Sequence, residues 1–357
     1  MKIIKKKNNN KEYDLNKFVD LFEEHAENLD KISFAFPSNY YLTNDSKIFP
    51  LASGQSKVKT YLCNESGYWA IYESDRFGFR NNDKLWDQQI DVVSVGDSFL
   101  HGYCVNEGEN ISEIFNKKNN FTMLNLGVGG TGPLHQYAIL KEYLKTVKSL
   151  DYVFWFYQES NDLTNIDDEF ENETLKKYLK ENFTQNLTLK QIDIDKMTKT
   201  DLKKNYLNKK YTIKKFLKLD NLKWFIATKF NSSTEYNLLN QTKESNKKRL
   251  NNLKIVLEKT KLLTNQHNAK LVFIYTPYYQ RYLLDNKEKE KFRLKNEVLQ
   301  LVNELELNYI DIDIGVFQKE NNPLSFYPNK KHNHPNPEGY EKVADHILDV
   351  FSKIKTN

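Results

Sequence analysis

The sequence predicts an α/β protein built on a doubly wound, mostly parallel sheet. Short apolar runs that end in polar turns alternate with segments of helical periodicity, first over residues 91–162 and again from about residue 245 to the end. Buried parallel strands have this appearance, and strand–helix alternation favours crossovers that cover both faces of one sheet. The predicted strands lie in DVVSVGDSF, which ends in a polar turn, FTMLNLGVGG (121–130), which ends in glycines, DYVFWFYQESND (151–162), KLVFIYTP and YIDIDI.

The remaining elements follow in order. Residues 14–29 have helical spacing, and GYWAIYESDRFGFRNND at 67–83 begins as a strand. Helices are predicted after residue 133, up to Gln266, over 284–306 and from Pro337. Residues 165–245 are helical, polar and rich in Lys and Asn. We therefore expect an N-terminal appendage (1–90) packed on a core domain (91–357), with a helical insertion at about 165–245 that is separable from the core.

Composition and charge limit the classes of partner that the chain is expected to bind. The 357 residues are 39% hydrophobic, and 53 basic against 48 acidic residues leave a net charge of only +5. The basic runs are diluted by Asn and Asp, unlike a nucleic-acid groove, so no nucleic-acid partner is expected. No apolar stretch is long enough to span a bilayer, and the basic N-terminus lacks the apolar region of a signal peptide. We expect a cytoplasmic protein.

The chain has two cysteines, Cys63 and Cys104. They allow one disulfide, but so few cysteines in a chain of this size predict a fold that is independent of disulfides.

The first candidate motif is Gly96-Asp97-Ser98-Phe99, at the end of the first predicted core strand. A hydroxyl at this edge of a parallel sheet lies where ligands bind, close to backbone N–H groups that are free to donate. For an isolated tripeptide of this kind, an ordinary turn or a helix N-cap is the favoured interpretation.

Two further motifs follow the next two strands. In Asn125-Leu126-Gly127-Val128-Gly129-Gly130, glycine allows the backbone to approach a ligand, although a tight turn explains it equally well. In Glu159-Ser160-Asn161-Asp162, the Asn161 amide is suited to donate to a developing oxyanion, but Asn-Asp after a strand is also a common turn.

The last motif, His332-Asn333-His334-Pro335-Asn336-Pro337, lies directly before the closing helix. Alternatives are an exposed loop with two incidental histidines, or a metal site. Because no third ligand and no Cys/His metal spacing is evident, we expect no metal and no cofactor.

Taken in order, the four motifs resemble the conserved blocks of the SGNH (GDSL-like) hydrolases. The resemblance covers 91–162 and 332–340 and implies a flavodoxin-like fold. It also implies that Ser98 is the nucleophile, that His334 is its general base, and that Gly130 and Asn161 are oxyanion donors beside the Ser98 N–H. Two stretches, SDRFGFRNND and GPLHQYAILKEY, are similar to a bacterial subgroup associated with exopolysaccharide gene clusters. The implied activity is hydrolysis of a small or carbohydrate ester, with removal of O-acetyl groups from a carbohydrate as the specific expectation.

One departure from that family concerns the acid that orients the catalytic histidine. The family has Asp three residues before this histidine, but Lys331 stands there, and His332 is the adjacent candidate for the orienting role. Another carboxylate or a carbonyl could hold His334, the site could be a Ser–His dyad, or activity could be lost. The alternatives for function are therefore an O-acyltransferase acting on a polysaccharide and a non-catalytic binding protein with the same fold.

Overall fold

The structure is a computed structural model that describes residues 31–35, 54–63, 65, 67–118, 121–200, 243–284, 292–328 and 334–356. The predicted helix at 14–29 lies outside these residues. None of the helices within them is sufficiently long and apolar to cross a membrane.

The core is a five-stranded sheet in which every neighbouring pair is parallel. Its strands are β4 (Val92–Gly96), β5 (Met123–Asn125), β6 (Tyr152–Gln158), β7 (Lys270–Thr276) and β8 (Asn308–Asp311). Their order in space is β5-β4-β6-β7-β8, so the first core strand lies inside the sheet and the second at its edge. This is the flavodoxin-like order, with its switch point beside β4, and it confirms the predicted fold class.

Helices cover both faces of this sheet because each central strand is apolar on both sides. Along β6, Tyr152, Phe154 and Phe156 belong to one buried cluster, whereas Val153, Trp155 and Tyr157 belong to the other. The larger cluster includes residues of α3 (Pro133–Tyr143), α4 (Asp162–Glu171), α7 (Lys243–Gln266) and α8 (Lys295–Glu304). The opposite cluster includes residues of α2 (Ile111–Lys118), α9 (Ile312–Gly315) and α10 (Pro337–Thr356).

A smaller sheet precedes the core in the chain. It consists of β1 (Ile32–Phe34), β2 (Lys59–Cys63) and β3 (Ala70–Glu73), with β2 parallel to β1 and antiparallel to β3. The residues after β3 attach to the core. Asn81 exchanges two hydrogen bonds of 2.9 Å with the backbone of Asn125, and the buried Arg80 donates to the carbonyls of Gly102 (2.6 Å) and Val105 (3.0 Å). The boundary at residue 90 stays a prediction.

The first part of the predicted insertion is integral to the larger core. It contains α4, α5 (Glu173–Tyr178) and a helical run, α6, at 191–200. The Glu142 carboxylate on α3 accepts hydrogen bonds from Tyr178 Oη at 2.6 Å and from the Leu187 N–H at 2.9 Å. Leu175 and Tyr178 are fully buried in the larger cluster. Residues 165–200 thus pack on the core through α3, whereas 201–242 lie outside the described residues, and the expectation that the insertion is separable stays a prediction.

The last strand is shorter than predicted. It ends at Asp311 because the Asp311 side chain accepts from the N–H groups of Asp313 (3.0 Å) and Ile314 (3.3 Å), which begins the short helix α9.

Candidate active site

Ser98 begins α1 (Ser98–His101), directly after β4. The strand is buried along its whole length and the chain turns at Asp97, so the Ser98 hydroxyl lies at the carboxyl edge of the sheet. Ser98 Oγ is 2.8 Å from His334 Nε2, although the two residues are 236 positions apart in the chain. The structure thus brings together the serine and the histidine that the motifs singled out.

His334 lies just before α10, and its other ring nitrogen contacts an acid. Nδ1 is 3.0 Å from a carboxylate oxygen of Glu65. With a proton on Nδ1 donated to Glu65, Nε2 has a lone pair facing the Ser98 hydroxyl. This is the tautomer that a general base for serine requires.

The three candidate oxyanion donors converge on one carboxylate, that of Asp97. The N–H groups of Ser98 and Gly130 donate to its Oδ1, the latter at 2.8 Å, and Asn161 Nδ2 donates to its Oδ2. Gly130 has φ 75°, in the left-handed region that favours glycine. Burial raises the pKa of Asp97, while hydrogen bonds from these three donors act to lower it. The donors are thus arranged to surround a negatively charged oxygen group.

A buried histidine supports the glycine turn that carries one of these donors. The Gly129 N–H donates to His101 Nδ1 at 3.3 Å, and His101 Nε2 is 3.2 Å from Tyr72 Oη in β3. Burial lowers the pKa of His101 to about 3, so its imidazole is neutral, accepts at Nδ1 and donates from Nε2 to the tyrosine. His101 therefore connects the oxyanion turn to the small sheet.

A second supporting group comes from α4. The Glu169 carboxylate accepts from the N–H groups of Gly132 (2.7 Å) and Leu134 (2.9 Å) at the start of α3. Burial raises the pKa of Glu169 to about 8, in spite of these hydrogen bonds. This contact fixes the chain immediately after Gly130.

The two cysteines form a disulfide beside the site. Cys63 is the last residue of β2, and Cys104 follows the turn after α1. The one disulfide that the two cysteines allow is therefore formed, and the independence of the fold from it stays a prediction. The Tyr103 ring, next to Cys104, lies 5.0 Å from the His334 ring.

Among the described residues, one cluster has metal-ligand spacing, and it consists of Glu65, Cys104 and His334. The Cys104 sulfur is bonded to Cys63, and both nitrogens of His334 face partners within the site. Two members of the cluster, Glu65 and His334, form a serine–histidine–acid arrangement together with Ser98.

The residues at the position of the missing acid, Lys331 and His332, lie outside the described residues. Glu65 was not among the candidates because it belongs to no motif and is 269 positions from its histidine. The cysteines carried the only signal. If Cys63 is paired with Cys104, the bond brings Glu65, two residues after Cys63, close to Ser98, six residues before Cys104.

No protein-family model and no curated protein matches the chain. Similar solved structures include a member of the lipolytic protein G-D-S-L family from Veillonella parvula. It has 14% identity and a TM-score of 0.41, over 74% of this chain and 98% of that one. A psychrotrophic esterase from Pseudoalteromonas has 13% identity and a TM-score of 0.36, over 75% and 99%. An acetylxylan esterase from Geobacillus stearothermophilus has 11% and 0.36, over 73% and 93%. At such values the function rests on the geometry of the site.

Proposed function

We propose that this chain is a serine-dependent carboxylic-ester hydrolase with Ser98 as nucleophile and His334 as general base. The observation that carries the proposal is the 2.8 Å contact between Ser98 Oγ and His334 Nε2, next to three donors that converge on one carboxylate. A serine hydroxyl is a weak nucleophile until an adjacent base takes its proton.

Each step of the reaction has a group suited to it. Ser98 Oγ attacks the ester carbonyl while its proton passes to His334 Nε2, and the carbonyl oxygen becomes an oxyanion held by the Ser98 and Gly130 N–H groups and Asn161 Nδ2. His334 then gives the proton to the departing alcohol as the ester C–O bond breaks. Water, deprotonated by the same histidine, attacks the acyl-enzyme and releases the acid. Each oxyanion donor is worth about 3–4 kcal/mol in such steps.

The Asp97 carboxylate has to leave the donors before a substrate carbonyl can use them, because all three now donate to it. Burial raises the pKa of Asp97, so its ionised form is less favoured than that of an exposed aspartate. The substrate oxygen thus competes with a group of this chain for the same three donors.

For the substrate we propose an O-acetyl group on a carbohydrate. The support is the similarity of SDRFGFRNND and GPLHQYAILKEY to the exopolysaccharide-associated subgroup. Transfer of the acyl group to a sugar hydroxyl uses the same residues, with the sugar in place of water. Acetate release from an acetylated oligosaccharide, measured with and without an unacetylated acceptor, separates the two: an acceptor that takes up the acetyl group identifies a transferase.

Labelling with a fluorophosphonate tests the nucleophile without knowledge of the substrate. We expect the wild type to be labelled and Ser98→Ala not to be. Ser352→Ala is the matched control, because Ser352 is exposed near the end of α10, 18 residues beyond His334, and it should label like the wild type. Label that persists in Ser98→Ala would place the nucleophile elsewhere, and a wild type inert to the probe and to every ester would favour a non-catalytic binding protein.

A further inference from the structure

We propose that Glu65 is the acid that positions His334, and that the Cys63–Cys104 disulfide holds Glu65 in place, so that hydrolysis depends on the oxidised disulfide. This inference rests on the proposed function. Its starting point is that the acid expected three residues before His334 is replaced by Lys331, while a carboxylate from the small sheet lies 3.0 Å from His334 Nδ1.

Glu65 is suited to the role by its position and by its environment. Both Glu65 and His334 are partly buried, with side-chain exposures of 21% and 12%, so their interaction is only partly screened by water. A carboxylate on Nδ1 fixes the imidazole tautomer and stabilises the imidazolium that forms when Ser98 loses its proton. Glu65 acts only through His334 and is therefore a positioning residue.

The carboxylate is carried by a short connection between two antiparallel strands. Glu65 lies between the end of β2 at Cys63 and the start of β3 at Ala70. A side chain on such a connection is not fixed by the sheet itself, since connections are the most mobile part of a hairpin. Its precision has to come from another contact.

The disulfide supplies that contact at the right place. One end, Cys63, is two residues from Glu65, and the other, Cys104, is six residues from Ser98 and fully buried. The bond therefore joins the segment that carries the acid to the turn that follows the nucleophile. The His101–Tyr72 contact also attaches β3 to the core, so that loss of the disulfide should loosen the Glu65 connection without releasing the whole sheet.

Reduction by a phosphine tests this dependence. The phosphine and one water convert the disulfide into two thiols and a phosphine oxide. A chelator has to be present throughout, because the freed Cys104 thiol would lie beside Glu65 and His334 and could bind adventitious zinc. Hydrolysis of p-nitrophenyl acetate is then followed for the wild type and for Cys63→Ser/Cys104→Ser, each with its thermal melt.

We expect Glu65→Gln to lower kcat by roughly 10³-fold with little change in KM, as loss of an orienting acid does. Glu65→Asp should recover part of the rate. Glu73→Gln, at an exposed glutamate on the same small sheet, should behave like the wild type.

Reduction should lower kcat of the wild type tenfold or more, but should leave Glu65→Gln almost unchanged, because the disulfide acts through the residue already removed. If reduction lowers both proteins equally, the disulfide has only a general structural role and that part of the inference is overturned. If Glu65→Gln hydrolyses with the kcat and KM of the wild type, Glu65 is not the positioning acid. If the oxidised wild type neither labels nor hydrolyses, the proposed function itself fails.

Discussion

The large parallel sheet and the small sheet contribute to the candidate site in different ways. Ser98, Gly130 and Asn161 each follow the carboxyl end of a core strand, so pairing of the strands brings them together. Glu65 lies on a hairpin connection, and its carboxylate contacts His334 directly. The disulfide next to this connection joins it to the core. Groups at strand ends are positioned by the core itself, whereas the acid depends on a few specific tertiary contacts. The positions of the strand-end groups should therefore tolerate changes elsewhere in the protein, whereas the position of Glu65 should be sensitive to the loss of a single contact.

The largest expected effect separates the base from its neighbour. His334→Ala should lower kcat/KM for p-nitrophenyl acetate by roughly 10⁴-fold or more. Without the histidine, nothing takes the proton from the Ser98 hydroxyl, whether the site is a triad or a dyad. His332→Ala, which removes the other histidine of the motif, should cost far less. Equal losses in two folded variants would mean that the assignment of His334 as base and His332 as bystander has to be redrawn.

Asn161→Ala should lower kcat by roughly 10²–10³-fold with little change in KM, because an oxyanion donor acts mainly in the transition state. Asn182→Ala, at an exposed asparagine, is the matched control. A normal kcat in Asn161→Ala would mean that Asn161 is only a turn residue before α4. The end of β6 would then contribute no oxyanion donor to the site.

The core that supports the strand ends extends into the helical segment after β6. Leu175→Ala should reduce the free energy of unfolding by about 3 kcal/mol, as deletion of a fully buried leucine does. Leu189→Ala should change it little, since Leu189 is 84% exposed. Chemical denaturation measures both. Equal stability of the two variants would support the expectation that the insertion is separable from the core.

The smallest expected effect, when it is taken per pH unit, is a change in how stability depends on pH. The pKa of Glu169 is raised to about 8, so the folded chain retains a proton that the unfolded chain loses near pH 4.5. The free energy of unfolding should therefore fall as pH rises between these values. Glu169→Gln should remove up to about 1.4 kcal/mol per pH unit of this slope. Parallel profiles for the two proteins would show that Glu169 titrates normally.

The sequence contains enough information for the parts of the fold that depend on local patterns. Apolar runs and their spacing predicted the five core strands and the class of the fold. The motifs were placed at strand ends because polar residues interrupt each apolar run there. The pairing of Ser98 with His334 came from a family resemblance and agrees with their 2.8 Å contact. The roles of Ser98, Gly130, Asn161 and His334 in a reaction stay predictions.

Other features have no local pattern. Nothing near Glu65 marks it as a partner of a histidine 269 residues away, and two cysteines alone do not reveal whether they are bonded. The burial of Leu175 and Tyr178 was missed because the helical segment is polar overall, and a few apolar residues in the right places are enough to pack it on α3. In each case the decisive energy comes from contacts between distant segments rather than from neighbours in the chain.

The separation of 236 positions between Ser98 and His334 also affects how the protein is made. At roughly 5–20 residues per second, a ribosome needs about 10–50 seconds to proceed from one to the other. During that interval the nascent chain holds Glu65 and Ser98 but not the histidine that we propose as the base. If the proposed function is correct, a polypeptide stalled or truncated before His334 would be unreactive toward esters, and reactivity would begin only once this histidine joins the folded core.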